Sequence, residues 1–222
     1  MNLGKAIAGL RNNVEPIAAA DLIAAVKQND VKKLKGYLDR AADPNLQNKF
    51  GETALHWAAS QGHPDLAALL LDRAADPNLQ NEIGDTALHW AVFWNHPDLA
   101  TLLLDRAADP NLQDKNGSTA LHFAASEGFL DCVVLLLDRA ADPNLKNKFG
   151  NTALDIALRE YNKTHDDKYK KIADMLERAM EERRLEDKME SNIKRLIRGK
   201  RDIPPILDKW LVVPKGKGRE KK

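Results

Sequence analysis

Thr53-Ala54-Leu55-His56-Trp57-Ala58 decides the fold, because it returns. It stands again at 86–91, with Phe in place of Trp at 119–124, and altered as Thr152-Ala153-Leu154-Asp155-Ile156-Ala157. A second motif, Ala42-Asp43-Pro44-Asn45-Leu46, keeps step with it at 75–79, 108–112 and 141–145. The period is 33 residues without a gap. Constant spacing means stacked copies of one structural unit. Each copy is too small to bury its own apolar face and must pack on its neighbours.

Residues 48–80 give the unit its local structure. Thr53 suits a helix N-cap, its hydroxyl meeting an orphan backbone N–H. Leu55, Ala58 and Ala59 then share one helical face. Gly62 accepts the left-handed conformation that ends a helix. Pro64 fits the first position of a second helix, where a missing N–H is harmless. Leu66, Leu69 and Leu70 form the apolar face of that helix. Asp76-Pro77-Asn78 is a turn, with Pro presetting φ and Asp or Asn stabilising the bend. Each unit therefore reads as helix, tight turn, helix, then a turn-rich finger.

These residues resemble the ankyrin repeat. Thr53-Ala54-Leu55-His56-Trp57-Ala58-Ala59 is similar to the family's T-P-L-H-x-A-A signature, and Ala74-Ala75-Asp76-Pro77-Asn78 to its G-A-D-x-N finger. The resemblance covers 20–180 and implies an all-α solenoid with a concave groove that binds other proteins. An N-terminal cap spans 20–45, and Lys27, Lys32, Lys33 and Lys35 make its outer face polar. Three internal repeats follow at 46–78, 79–111 and 112–144. A terminal repeat from 145 carries an insertion at 161–168, between its two helices. Residues 1–19 are an N-terminal extension, 181–214 a helical and apolar extension, and 215–222 a basic disordered tail.

The chain departs from the family at the finger, where alanine replaces the usual glycine at Ala41, Ala74, Ala107 and Ala140. A left-handed alanine costs about 1–2 kcal/mol. Either these residues avoid that conformation by continuing the second helix, or the protein tolerates the strain four times; the left-handed reading is preferred. The near identity of the units points to recent duplication or to a consensus-like or designed scaffold.

Composition bounds the rest. No apolar run approaches the roughly 20 residues of a membrane span. Residues 1–10 are only mildly apolar and lack a cleavage-site pattern, so no secretory signal is expected. The single cysteine, Cys132, excludes an intramolecular disulfide and suits a reducing compartment. It fills the slot of Leu66 and Leu99 and reads as a small core residue. The expectation is a cytoplasmic monomer. Net charge is +1, yet 191–222 carry eleven Lys/Arg against three acids, a local +8 that leaves −7 on the first 190 residues.

Catalytic and metal chemistry find no support. His56, His89 and His122 recur at one repeat position, and the family geometry places them on successive layers, too far apart for shared ligation. They read instead as hydrogen-bonded ties between finger and helix. There is no HExxH, no CxxC and no Gly-rich phosphate loop. No enzyme activity, metal or cofactor is expected.

The units differ from one another at the finger tips and at the ends of the first helices. The tips are Lys49-Phe50 with Glu52, Glu82-Ile83 with Asp85, Lys115-Asn116 with Ser118, and Lys148-Phe149 with Asn151. The helix ends are Ser60-Gln61, Phe93-Trp94, Ser126-Glu127 and Arg159-Glu160. The resemblance places both sets on the groove. The expected partner surface is Phe50, Ile83, Phe93, Trp94, Asn116, Ser126, Glu127, Phe149 and Arg159. Phe93 and Trp94 are the outliers. Two readings stand for them: a binding anchor, since aromatics dominate hot spots, or a filler between layers.

Past the repeats, helical spacing predicts a helix over 169–198, with Glu190 and Lys194 as an i,i+4 pair. Ile203-Pro204-Pro205 breaks it. Ile206, Leu207, Trp210 and Leu211 then form an apolar cluster that either folds back on the stack or docks a partner. The basic segment 191–222 supports a rival reading, a nucleic-acid-associated factor, or serves as a nuclear-import signal.

Overall fold

The computed structural model describes residues 17–199, with side chains through 195. Residues 1–16 and the segment holding Ile206, Leu207, Trp210, Leu211 and the basic tail lie outside the described residues. Ten helices are present among the described residues, and no strand. The described residues form two compact units, divided between Glu177 and Arg178.

The first unit holds five helix pairs: α1 (Ala19–Lys27) with α2 (Val31–Asp39), α3 (Ala54–Gln61) with α4 (Pro64–Asp72), α5 (Ala87–Phe93) with α6 (Pro97–Asp105), α7 (Ala120–Glu127) with α8 (Leu130–Asp138), and α9 (Ala153–Thr164) with the start of α10 (Asp167–Gly199). The first helices α1, α3, α5, α7 and α9 pack each on the next. The second helices α2, α4, α6 and α8 do the same. Leu22, Leu55, Leu88 and Leu121 recur between the layers at the 33-residue period, as do Leu66, Leu99 and Cys132. Cys132 is fully buried, and burial pushes its thiol up to about 11. It is a core residue.

The capping chemistry explains the short helices. Thr53, Thr86 and Thr152 accept a bond from the backbone N–H three residues on. Gly62 and Gly128 end α3 and α7 in the left-handed conformation. In the second internal repeat Asn95 takes that role, with φ of 56°. Ala41, Ala74, Ala107 and Ala140 all have φ between 60° and 66°. The strain is therefore accepted four times.

Polar ladders run across the units. Asn45 Nδ2 donates to the Ala74 carbonyl at 3.2 Å while its Oδ1 accepts from Asp76 N–H at 2.7 Å. Asn78 and Asn111 repeat both bonds one unit further on. Asp39–Arg73, Asp72–Arg106 and Asp105–Arg139 form an ion-pair row at 2.8, 2.8 and 2.6 Å. These pairs are half-exposed, so each contributes at most about 1 kcal/mol.

Two features differ from the sequence reading. The insertion 161–168 does not lie wholly between the two helices: its first four residues extend α9 to Thr164, His165 turns the chain at φ of 58°, and α10 begins at Asp167. Lys27 does not belong to the polar outer face. Its Nζ stands 3.4 Å from the centre of the Trp57 ring, on the next unit. Within 167–177, Tyr169, Ile172, Ala173 and Leu176 are buried. Further along α10, Leu185, Met189 and Ile193 are exposed, and Glu190 pairs with Lys194 at 2.7 Å.

Candidate binding groove

Each finger is shaped by one side chain at its base. Asn48 Oδ1 accepts from Phe50 and Glu52 N–H, Asn81 Oδ1 from Ile83 and Asp85 N–H, and Asp114 Oδ1 from Asn116 and Ser118 N–H. The fingers are then joined main chain to main chain. Glu82 N–H donates to the Phe50 carbonyl, Lys115 N–H to Ile83, and Lys148 N–H to Asn116. The tips Phe50, Ile83, Asn116 and Phe149 therefore form one row. Gly84 permits the approach: with φ of 87°, a Cβ there would lie 2.6 Å from Lys115 N.

The histidines fasten fingers to helices. His56 Nδ1 lies 3.2 Å from Thr53 N and 2.9 Å from Thr53 Oγ1, and its Nε2 lies 3.0 Å from the Asp85 carbonyl. A backbone N–H only donates and a carbonyl only accepts. The proton is therefore on Nε2 and the ring is neutral. His89 bridges Thr86 to Ser118, and His122 bridges Thr119 to Asn151, in the same way. Burial lowers all three pKa values, that of His89 to about 4. Asp155 takes this place in the last repeat and accepts from Thr152 N–H and Oγ1, both at 2.8 Å.

Between fingers and first helices opens a cleft of about 480 Å³. Its wall includes Trp57, Ile83, Trp90, Phe93, Trp94 and Phe123, with Ser60, Asp85, His89, Asp114 and Asn116 as polar members. The rings meet edge to face: Trp57 on Trp90 at 5.7 Å, Phe93 on Trp94 at 5.4 Å and Phe93 on Phe123 at 6.1 Å. Phe93 and Trp94 nevertheless stay 45% and 56% exposed. They line the cleft wall and do not fill the space between layers.

Of the nine residues expected at the partner surface, Ile83, Phe93, Trp94 and Asn116 line this cleft. Phe50, Ser126, Glu127, Phe149 and Arg159 do not. Phe149 is 77% exposed at its own tip, and Arg159 lies 3.7 Å from Glu160. The Ser126 carbonyl accepts from Tyr169 Oη at 3.2 Å. Sequence reasoning missed Trp57, Trp90, Phe123 and Asp114 as groove members. It sought positions that vary between units, and the aromatic after the histidine does not vary in kind.

Family models agree with this architecture. A three-copy ankyrin-repeat model matches 22–114, and a many-copy ankyrin-repeat model matches 102–157. The chain belongs to the ankyrin-repeat family. Ankyrin repeats generally mediate protein–protein interactions. Among the described residues no helix is long and apolar enough to cross a membrane. No three His, Cys, Asp or Glu among them stand together as a metal site.

Proposed function

We propose that this chain is a non-catalytic binding module, an adaptor or inhibitor, that takes a protein partner in the groove between its fingers and first helices. One observation carries the reading. Where the first and third internal repeats end their first helices in Ser-Gln and Ser-Glu, the second presents Phe93 and Trp94, both half-exposed, on the wall of an aromatic cleft. Such aromatics supply much of the binding energy at interfaces, often 2 kcal/mol or more each. Charged tips such as Lys49, Glu82 and Lys148 would set specificity around them.

The test is a Phe93→Ser, Trp94→Gln variant, which copies the first internal repeat. It is expected to keep the parent's helical circular dichroism and to lose capture of the parent's partner from lysate. Full capture by the folded variant would move the binding surface elsewhere, and Ile206, Leu207, Trp210 and Leu211 would be the next segment to truncate.

A further inference from the structure

We infer that the cleft at Trp90 is a receptor for a lysine side chain, and that the partner enters it with a lysine ammonium. The inference rests on the groove reading above and names the chemistry of its occupant.

The first internal repeat shows what such a site looks like when filled. Trp57 Nε1 donates to Glu52 Oε2 at 3.0 Å, and the Lys27 ammonium lies 3.4 Å over the Trp57 ring. The ring therefore binds a cation with a carboxylate held at its rim. An ammonium over an indole face is the favoured cation–π arrangement.

One unit further on, the same pair recurs, and among the described residues no cation stands against it. Trp90 Nε1 donates to Asp85 Oδ2 at 3.2 Å. Asp85 is only 9% exposed, and its Oδ1 has no hydrogen-bond partner. A buried carboxylate with no counter-charge is costly. The residue at the repeat position of Lys27, 33 residues on, is Ser60. Ser60 lines the cleft but is too short to cross it, and its Oγ donates back to the Trp57 carbonyl at 3.1 Å. Around Trp90 and Asp85 stand Trp94, Phe93 and Phe123, with Asp114 as a second acid. The cleft thus offers aromatic walls and, at Asp85, a buried carboxylate oxygen with no partner among the described residues, and the chain itself shows that lysine is the side chain that fits this pairing.

The experiment uses the full chain and proton–nitrogen spectra of the tryptophan indoles. The probes are Nα-acetyl-lysine methylamide and its uncharged norleucine and guanidinium-bearing arginine counterparts. The lysine probe is expected to shift the Trp90 and Trp94 indoles saturably, at least tenfold more tightly than norleucine and more tightly than arginine. Ser60→Lys, which supplies the missing ammonium from within, should abolish the shift. Asp85→Asn should weaken binding at least tenfold while the protein remains as stable as the parent or more so. Equal binding of norleucine would make the cleft merely apolar and overturn the assignment. Preferred binding of arginine, absence of saturation, or unchanged binding by Ser60→Lys would overturn it too. So would indole shifts that depend on protein concentration alone, which would mark a second copy as occupant. Partner capture separates the two levels of inference. If Ser60→Lys keeps the partner and Phe93→Ser, Trp94→Gln loses it, the groove binds without a lysine. If both keep it, the groove reading itself fails.

Discussion

His56 Nε2 donates to the carbonyl of Asp85, 29 residues away, at 3.0 Å. This one bond ties the first helix of one unit to the finger of the next. The proton on Nε2 makes this bond, and the neutral Nδ1 makes a second one by accepting from Thr53 N–H. His89 and His122 are held alike. Protonation of any of them places a charge in a buried site and removes the acceptor.

Stability is therefore predicted to fall with acid. The folded histidines hold pKa values below the unfolded 6.5, His89 at about 4. The unfolded chain takes up protons first, so stability present above pH 6.5 is lost as pH falls toward 4. His89 alone accounts for about 3 kcal/mol of this loss. Urea midpoints at pH 7, 5.5 and 4 measure it. A His89→Asn variant should show a shallower decline than the parent; an equal slope would remove His89 from the account.

Asp85 works in the opposite sense. Burial raises its pKa from 3.8 to about 6, with the Trp90 bond opposing and Asp114 adding. Above pH 6 the folded state carries a charge that water solvates better in the unfolded chain. That penalty disappears as pH falls through 6 toward 3.8. Asp85→Asn is predicted to stabilise the protein at pH 7 by about 2 kcal/mol and to have little effect at pH 3.5. Denaturant titrations of the two proteins at both pH values check it. A loss of stability at pH 7 would mean that the carboxylate is compensated.

The four left-handed alanines invite replacement. With φ between 60° and 66°, each of Ala41→Gly, Ala74→Gly, Ala107→Gly and Ala140→Gly should relieve strain of about 1 kcal/mol. Greater freedom of glycine in the unfolded chain offsets part of that gain. A rise in denaturant midpoint is expected for every single variant. A fall in all four would show that Cβ contacts outweigh the backbone term.

The repeat was legible because it states the same physical solution several times. Thr53 as cap, Pro64 at a helix start and the buried leucines follow from local chemistry and periodicity. The groove was half legible. Phe93 and Trp94 stood out as departures from the template, and Ile83 and Asn116 as variable tips. Trp57, Trp90 and Phe123 did not, because constancy hid them among scaffold positions. Lys27 was misplaced because a lysine near a terminus reads as solvation, while only coordinates reveal a ring beneath it. The role proposed for Asp85 needed two facts together, an Oδ1 without a partner among the described residues and a serine at the repeat position of Lys27, and the first is invisible in sequence.

Asp155 marks where the forward bond between units ends. A histidine at that position reaches forward with a proton; a carboxylate has none to give, and it spends both contacts on Thr152. A further copy of residues 79–111 could be spliced in ahead of 112, since His89 and His122 offer the same forward bond. The same copy spliced in after the last repeat would find no donor waiting. Duplication in the interior thus keeps the forward bond between units, and duplication past the C-terminal unit forgoes it.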